Sequence, residues 1–169
     1  MKLGALVAIV LSISDGDTLR VRQANRSLSV RLACIDAPET RQAPDGNQAR
    51  NALLALAPPG STVELTIKAW DRYGRAVAEV HRGGRNLNQA LVASGAAFVY
   101  WPYIRSCDRQ TYGRLEREAR FQRLGVWRSA GGLMRPWQFR HPAHRGAEPA
   151  ALGSAGPIGA DHHLIPELH

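Results

Sequence analysis

Three short runs of this 169-residue chain combine acids and arginines in patterns that can do chemistry. The first is Asp15-Gly16-Asp17-Thr18. The second is Arg31-Leu32-Ala33-Cys34-Ile35-Asp36-Ala37-Pro38-Glu39. The third is Asp71-Arg72-Tyr73-Gly74-Arg75. Each has an ordinary reading when taken singly. Asp-Gly is a good hairpin turn, Asp36 to Glu39 fits a strand end and turn, and Asp71 to Arg75 fits a hairpin with a surface ion pair. Taken together they offer hard oxygen ligands, which suit Ca²⁺ or Mg²⁺ rather than zinc. Beside these lie arginines, whose planar forks match phosphate oxygens two at a time. Carboxylates to hold a cation, next to guanidinium groups to hold an anion, are what phosphodiester cleavage needs.

The elements that must position these residues read as short strands followed by helices. Ile9, Leu11 and Ile13 alternate with Val10, Ser12 and Ser14, which predicts a first strand ending at the Asp15-Gly16-Asp17 turn. Leu19 and Val21 predict a second strand, and Asn25-Arg26 the turn after it. Leu28, Val30, Leu32 and Cys34 predict one face of a third strand, with Ser29, Arg31 and Ala33 on the other and Pro38 stopping it. Val63, Leu65 and Ile67 predict a fourth strand, and a fifth runs from Arg75 to about His81. Helices are expected at Asn47 to Leu56, after an Asn86 cap, and from Asp108 to about Leu124. This pattern predicts an α+β, mainly β fold: a five-stranded β-barrel of the OB type with three helices. Residues 1–140 are expected to be the folded domain, and 141–169, rich in Pro, Gly, Ala and His, a disordered tail. His162, His163 and His169 lie in that tail and offer no fixed metal geometry.

Composition agrees with a polyanionic partner. The net charge is +8, and 20 of the 22 basic residues are arginine. An Arg-rich codon bias explains the same count. Past Arg145 the chain carries only acids, so the positive charge belongs to the folded part. No apolar run approaches the roughly 18 residues that cross a membrane. The start, Met1 to Leu11, has a cation and then an apolar run, as signal peptides do. Removing all of it would delete the first strand, so it is expected to hold at most the end of such a peptide. Cys34 and Cys107 are too far apart for a zinc motif and are either one disulfide or two buried thiols. Glu116 reads as a buried structural acid, His81 as a surface residue, and Trp127 and Trp137 as packing residues.

From about Val10 to Arg140 the sequence resembles the staphylococcal nuclease (thermonuclease) family. The resemblance is carried by Asp15-Gly16-Asp17-Thr18, by Arg31-Leu32 through Ile35-Asp36-Ala37-Pro38-Glu39-Thr40, and by Asp71-Arg72-Tyr73-Gly74-Arg75. Asn88-Gln89-Ala90-Leu91-Val92 with Gly95, and Gly125-Val126-Trp127, continue it in order. Cys34, Cys107 and Arg135-Pro136-Trp137-Gln138-Phe139-Arg140 further resemble bacterial, cyanobacterial-like members.

The resemblance implies a nuclease that uses one Ca²⁺ ion, with Asp17, Asp36 and the main-chain carbonyl of Ala37 as ligands and Asp15 behind them. It implies that Glu39 positions, and can deprotonate, the attacking water, while Arg31 and Arg75 grip the phosphate. Arg72 and Tyr73 match positions that touch a terminal phosphate, and Tyr103 a position beside the base. Trp101 stands where the best-known member has another tyrosine, and an indole can still stack on a base. The loop Thr40 to Gly46 is shorter than in that member. The implied reaction is in-line displacement on DNA and/or RNA leaving 3′-phosphate ends. The chain is expected to act as a monomer without an obligate protein partner or a membrane. Secretion or the cell envelope is the location implied by family habit, with the cytoplasm as the alternative. The resemblance also brings Cys34 and Cys107 into segments that can approach each other. The main rival is a non-catalytic OB-type module that binds nucleic acid or protein. Its signature would be missing ligands or arginines, or aromatics on the strands, and strand aromatics are scarce before Phe98.

Overall fold

The computed structural model describes residues 4–141. The predicted tail beyond His141, its histidines, and Met1-Lys2-Leu3 lie outside the described residues. Five long strands form the barrel: β1 (Leu6–Asp15), β2 (Thr18–Gln23), β3 (Arg26–Leu32), β5 (Thr62–Trp70) and β6 (Ala76–Arg82). Three two-residue strands accompany them: β4 (Ile35–Asp36), β7 (Arg85–Asn86) and β8 (Phe98–Val99). The long strands run in the order β3-β2-β1-β5-β6, antiparallel throughout. A parallel pairing of β3 with β6, Val30 opposite Ala76 and Leu32 opposite Ala78, closes the barrel. This is the five-stranded, mainly β architecture that the alternation predicts.

The helices are α1 (Asp45–Leu56), α2 (Leu87–Ala93), α3 (Arg109–Phe121) and a five-residue α4 (Pro136–Arg140) that the alternation does not announce. Asn86 and Asp108 cap α2 and α3, each accepting a backbone N–H three residues on, at 3.0 and 3.2 Å. α3 ends at Phe121 rather than Leu124, because Arg123 turns into the left-handed region at φ 55°. Leu19, Val21, Val30, Leu53, Leu65, Val80 and Leu91 fill the core. Trp127 and Phe98 pack a second, smaller cluster with Trp137 on its flank, as the packing reading has it.

Two details of the strands differ from the alternation. In β1 the buried residues are Ala8, Val10 and Ile13, while Leu11 is exposed. A register shift between Val10 and Ser12 moves the inward phase by one residue. The third strand stops at Leu32, not Cys34. Ala33 and Cys34 turn the chain, Cys34 at φ 66°, into β4. Asn88 of α2, fully buried, holds that turn: its amide donates to the carbonyls of Ala33 (2.9 Å) and Ala78 (3.1 Å) and accepts from Val80 N–H (3.0 Å). Cys34 and Cys107 form a disulfide that joins this turn to the start of α3 across 73 residues. Closing a loop of that length removes about 4 kcal/mol of unfolded-chain entropy.

Candidate active site

The acids sit where the first three strands and β4 meet. Gly16 and Asp17 are the two-residue turn between β1 and β2. Gly16 is required there by packing, since a Cβ would lie 2.6 Å from Ala49 Cβ and 2.8 Å from Ala37 Cβ. The turn therefore lies against α1 and the Asp36-Ala37 segment. Asp17 Oδ2 accepts the backbone N–H of Ala37 at 2.7 Å, and Asp15 Oδ1 accepts that of Asp17 at 3.0 Å. Asp17 is 5% exposed and Asp36 1%. Between them stands Arg31, whose Nη2 is 3.3 Å from Asp17 Oδ2 and donates to Asp36 Oδ1 at 3.0 Å. Its Nη1 donates to the carbonyls of Leu32 (2.9 Å) and Ile35 (3.0 Å).

Burial raises the cost of charge in this cluster. Asp36 is pushed up to about 6 by desolvation, which outweighs the bonds from Arg140 and is reinforced by the charge of Asp17. Asp15 is pushed up to about 7, first by burial and then by Asp17. Asp17 is buried too, but Arg31, the Asp15 side chain and Ala37 N–H together hold it below the usual carboxylate range. The two buried acids share Arg31, and Asp36 takes Arg140 as a second cationic partner. The donor set is all oxygen, which fits a hard cation. No group of three or more Asp, Glu, His or Cys side chains that could by itself hold a metal ion is present among the described residues. Asp17 and Asp36 could hold an ion only with oxygens from the main chain and water added to theirs.

Glu39 follows on the next turn, and its carbonyl accepts Gln42 N–H at 2.8 Å. The turn folds back on the start of α1 so closely that any side chain at Gly46 would collide with the Glu39 carbonyl. The first turn of α1 is clamped from afar by Arg128, whose two nitrogens meet Asp45 at 2.6 and 2.9 Å.

The third run connects β5 to β6. Arg31 pairs with Val77 across the parallel β3–β6 ladder, and Arg75 immediately precedes β6. Its own bonds stay within the hairpin. Arg75 Nε donates to Asp71 Oδ2 at 2.6 Å, while Asp71 Oδ1 accepts the N–H groups of Tyr73 (2.9 Å) and Arg75 (3.0 Å). Tyr73 is exposed, with Arg72 and Arg75 guanidinium carbons 4.9 and 5.5 Å from its ring centre.

Of the aromatic candidates, Tyr103 stacks on Tyr100 at 5.4 Å. The contacts of Trp101 run to α3: its indole N–H donates to Glu116 at 3.0 Å and Arg109 lies over its ring at 5.5 Å. Glu116 also accepts Val99 N–H at 2.7 Å, which makes it the structural acid expected.

Sequence reasoning gave no role to four contributors. Tyr100 sits in the electrostatic field of Asp36, and burial followed by that charge raises its phenol. Gln42 and the Asp45–Arg128 pair fix the Glu39 loop. Arg140 donates to Asp36 Oδ2 at 2.7 Å and to Glu39 Oε1 at 2.6 Å. The run Arg135 to Arg140 was a visible signal, but nothing in its spacing says that it returns to a residue 104 positions earlier.

Comparison with known proteins agrees with this geometry. A sequence model of the family described as staphylococcal nuclease homologue matches residues 29–129. A micrococcal nuclease of Shigella flexneri is 41% identical over 140 residues, 78% of either chain. An uncharacterised endonuclease of Escherichia coli O157:H7 is 37% identical over 133 residues, covering 78% of this chain and 83% of its own. Protein ParB of Escherichia coli is 38% identical over 144 residues, covering 80% and 79%. With the family model covering more than half of the chain and relatives 37–41% identical over 78% of it, the chain belongs to the staphylococcal nuclease family and is a nuclease.

Proposed function

We propose that this nuclease is Ca²⁺-dependent and hydrolyses DNA and/or RNA by in-line attack of water at phosphorus, leaving 3′-phosphate ends. The observation that carries the reading is the convergence of buried Asp17 and Asp36 on a single guanidinium, with Glu39 tied to Asp36 through Arg140. Asp17, Asp36 and the Ala37 carbonyl would hold the ion, backed by Asp15. An oxygen set of two carboxylates, a carbonyl and water favours the larger, more tolerant Ca²⁺ over Mg²⁺. When bound, the ion supplies positive charge beside a non-bridging phosphate oxygen and polarises water.

The chain's own groups do the rest. Glu39 orients the attacking water by hydrogen bond and accepts its proton as the water oxygen bonds to phosphorus, while the P–O5′ bond breaks and the departing 5′-oxygen takes a proton from solvent. Arg31 on β3 and Arg75 just before β6 bind the phosphate and stabilise the charge that builds on the pentacoordinate phosphorus. Arg72 and Tyr73 at the hairpin tip meet a terminal phosphate. Tyr103, stacked on Tyr100, lies beside a base, and Trp101 extends the aromatic surface toward α3. Among the described residues no helix is long and apolar enough to cross a membrane. The Cys34–Cys107 disulfide supports an oxidising location, at the cell envelope or outside the cell.

Incubation of the protein with single-stranded DNA, duplex DNA and RNA, in Ca²⁺, Mg²⁺ or chelator, tests this reading. Cleavage that vanishes in chelator and returns with Ca²⁺ is expected, with 3′-phosphate termini on the products. Full activity in excess chelator would remove the metal assignment, and tight binding without cleavage would favour the binding-module alternative.

A further inference from the structure

The last described helix reaches into the acid cluster. Trp137 of α4 packs on Phe98 and Tyr100, ring centres 6.2 and 5.3 Å away. Arg135, just before α4, covers Phe98 at 4.4 Å and donates to the Leu133 carbonyl at 2.8 Å. So anchored, α4 delivers Arg140 to the acids. Arg140 Nη2 donates to Asp36 Oδ2 (2.7 Å), and Nη1 donates to both Asp36 Oδ1 (3.1 Å) and Glu39 Oε1 (2.6 Å). The same chain segment holds Glu39 a second time. Glu39 N–H donates to Gln42 Oε1 at 2.9 Å, and Gln42 Nε2 donates to the Met134 carbonyl at 2.9 Å. Gln42 is buried, so this relay is shielded from water. Glu39 is thus gripped at main chain and side chain by residues 134–140.

We propose that Arg140 is a positioning residue for the cleavage reaction, yoking the Glu39 carboxylate to Asp36 and making α4 part of the active site. The inference rests on the roles assigned above to Glu39 and Asp36. Glu39 is a flexible side chain, 31% exposed. Left alone it samples several rotamers, and ordering it costs entropy during the reaction. A charge-assisted fork removes that freedom beforehand. Metal affinity does not explain the placement, because a guanidinium on Asp36 repels a cation there. The two effects therefore oppose each other and can be separated.

The test compares wild type with Arg140→Ala, Arg140→Gln and Arg140→Lys. Turnover on single-stranded DNA is measured in saturating Ca²⁺, and Ca²⁺ binding is measured by calorimetry without nucleic acid. Circular dichroism and melting temperature check the fold. Arg140→Ala should lower kcat by roughly 10- to 100-fold, the scale of lost supporting bonds around a metal site. KM should change by less than about threefold, and Ca²⁺ should bind as tightly as before or more tightly. Arg140→Lys should recover part of the loss, and Arg140→Gln less. A folded Arg140→Ala that cleaves as fast as wild type, or faster, would overturn the proposal and make Arg140 a counter-ion displaced by the cation. Parallel losses of kcat, Ca²⁺ binding and melting temperature would overturn it too, by making the residue purely structural. A wild type that binds Ca²⁺ but does not cleave fails the functional reading itself, and this inference with it. Normal cleavage by both wild type and Arg140→Ala sinks the inference alone.

Discussion

The molecule holds two clusters built from the same residue types, and they differ in their contact with water. At the barrel mouth, Asp17 and Asp36 are buried, bridged by Arg31, and capped by Arg140. In the β5–β6 hairpin, Asp71 and Arg75 pair at 2.6 Å with side chains 20% and 32% exposed. Burial pushes Asp36 and Asp15 up. Desolvation raises Asp71 too, but bonds from the Arg75 backbone, its side chain and Tyr73 N–H together outweigh it and bring the acid below the usual range. The inner acids are thus held at a cost that a cation relieves. The outer acid is content with its arginine and shapes the turn. Similar residue types become a candidate ion site in one place and a candidate substrate clamp in the other because the inner acids stand beside further acids, whereas Asp71 has bonds from its own turn that outweigh its burial.

Removing one acid from each cluster tests that contrast most strongly. Asp36→Ala should bring Ca²⁺-dependent cleavage down to the chelator background, a loss of about 10³-fold or more. Asp71→Ala should cost less, because it loosens the turn that holds Arg75 without removing the guanidinium. Equal losses in a nuclease assay, with both variants folded, would erase the distinction. The arginines come next. Arg75→Lys keeps charge but loses the fork, and kcat should fall about 10²-fold with KM moving less. Arg31→Lys should fall as far and also melt earlier, since Arg31 serves the carbonyls of Leu32 and Ile35. An Arg75→Lys variant with near wild-type kcat would show that the hairpin arginine is not a clamp.

The smallest effect is on stability and pH. An acid whose folded pKa is raised binds its proton more tightly when folded, so its contribution to stability falls as pH rises from about 4 toward the folded value. For Asp15, raised to about 7, the window runs from about pH 4 to 7. Asp15→Asn should therefore stabilise the metal-free protein at pH 8, by an amount on the order of a few kcal/mol at most, and hardly at pH 4. Ca²⁺ affinity should weaken as pH drops through about 6, where Asp36 takes up a proton. Asp71→Asn should go the other way and gain nothing at high pH. Melting curves of the three proteins from pH 4 to 8 would reveal a reversed order.

Much of this was legible in the sequence, and the limits have physical reasons. Period-two alternation found the five long strands because each has one face on the core and one in water. It misplaced the inward phase of β1, since a register shift at Val10/Ser12 leaves no mark in residue type. It ran β3 through to Cys34, since Ala33 and Ile35 are as apolar as a strand needs. The acids and Arg31 were legible because they lie close in sequence and match a familiar order. Arg140 and the Arg128–Asp45 clamp were not, because long-range pairing depends on how α4 and the Gly125–Trp127 turn dock. For Trp101 the resemblance placed the residue near the nucleotide, and nothing in the sequence announced its contacts with Glu116 and Arg109.

The parallel seam between β3 and β6 has a temporal consequence. It joins Val30 to Ala76, segments distant along the chain, whereas β1, β2 and β3 are connected by tight hairpins. Local pairings form early, and a distant one must wait for its loop entropy to be met. Arg31 lies on β3 and Arg75 immediately precedes β6, so zipping that seam brings their two chain segments together. A refolding chain would regain far-ultraviolet signal from its hairpins before it regains any capacity to cut. Under the proposed arginine clamp, recovery of cleavage therefore cannot precede the β3–β6 pairing.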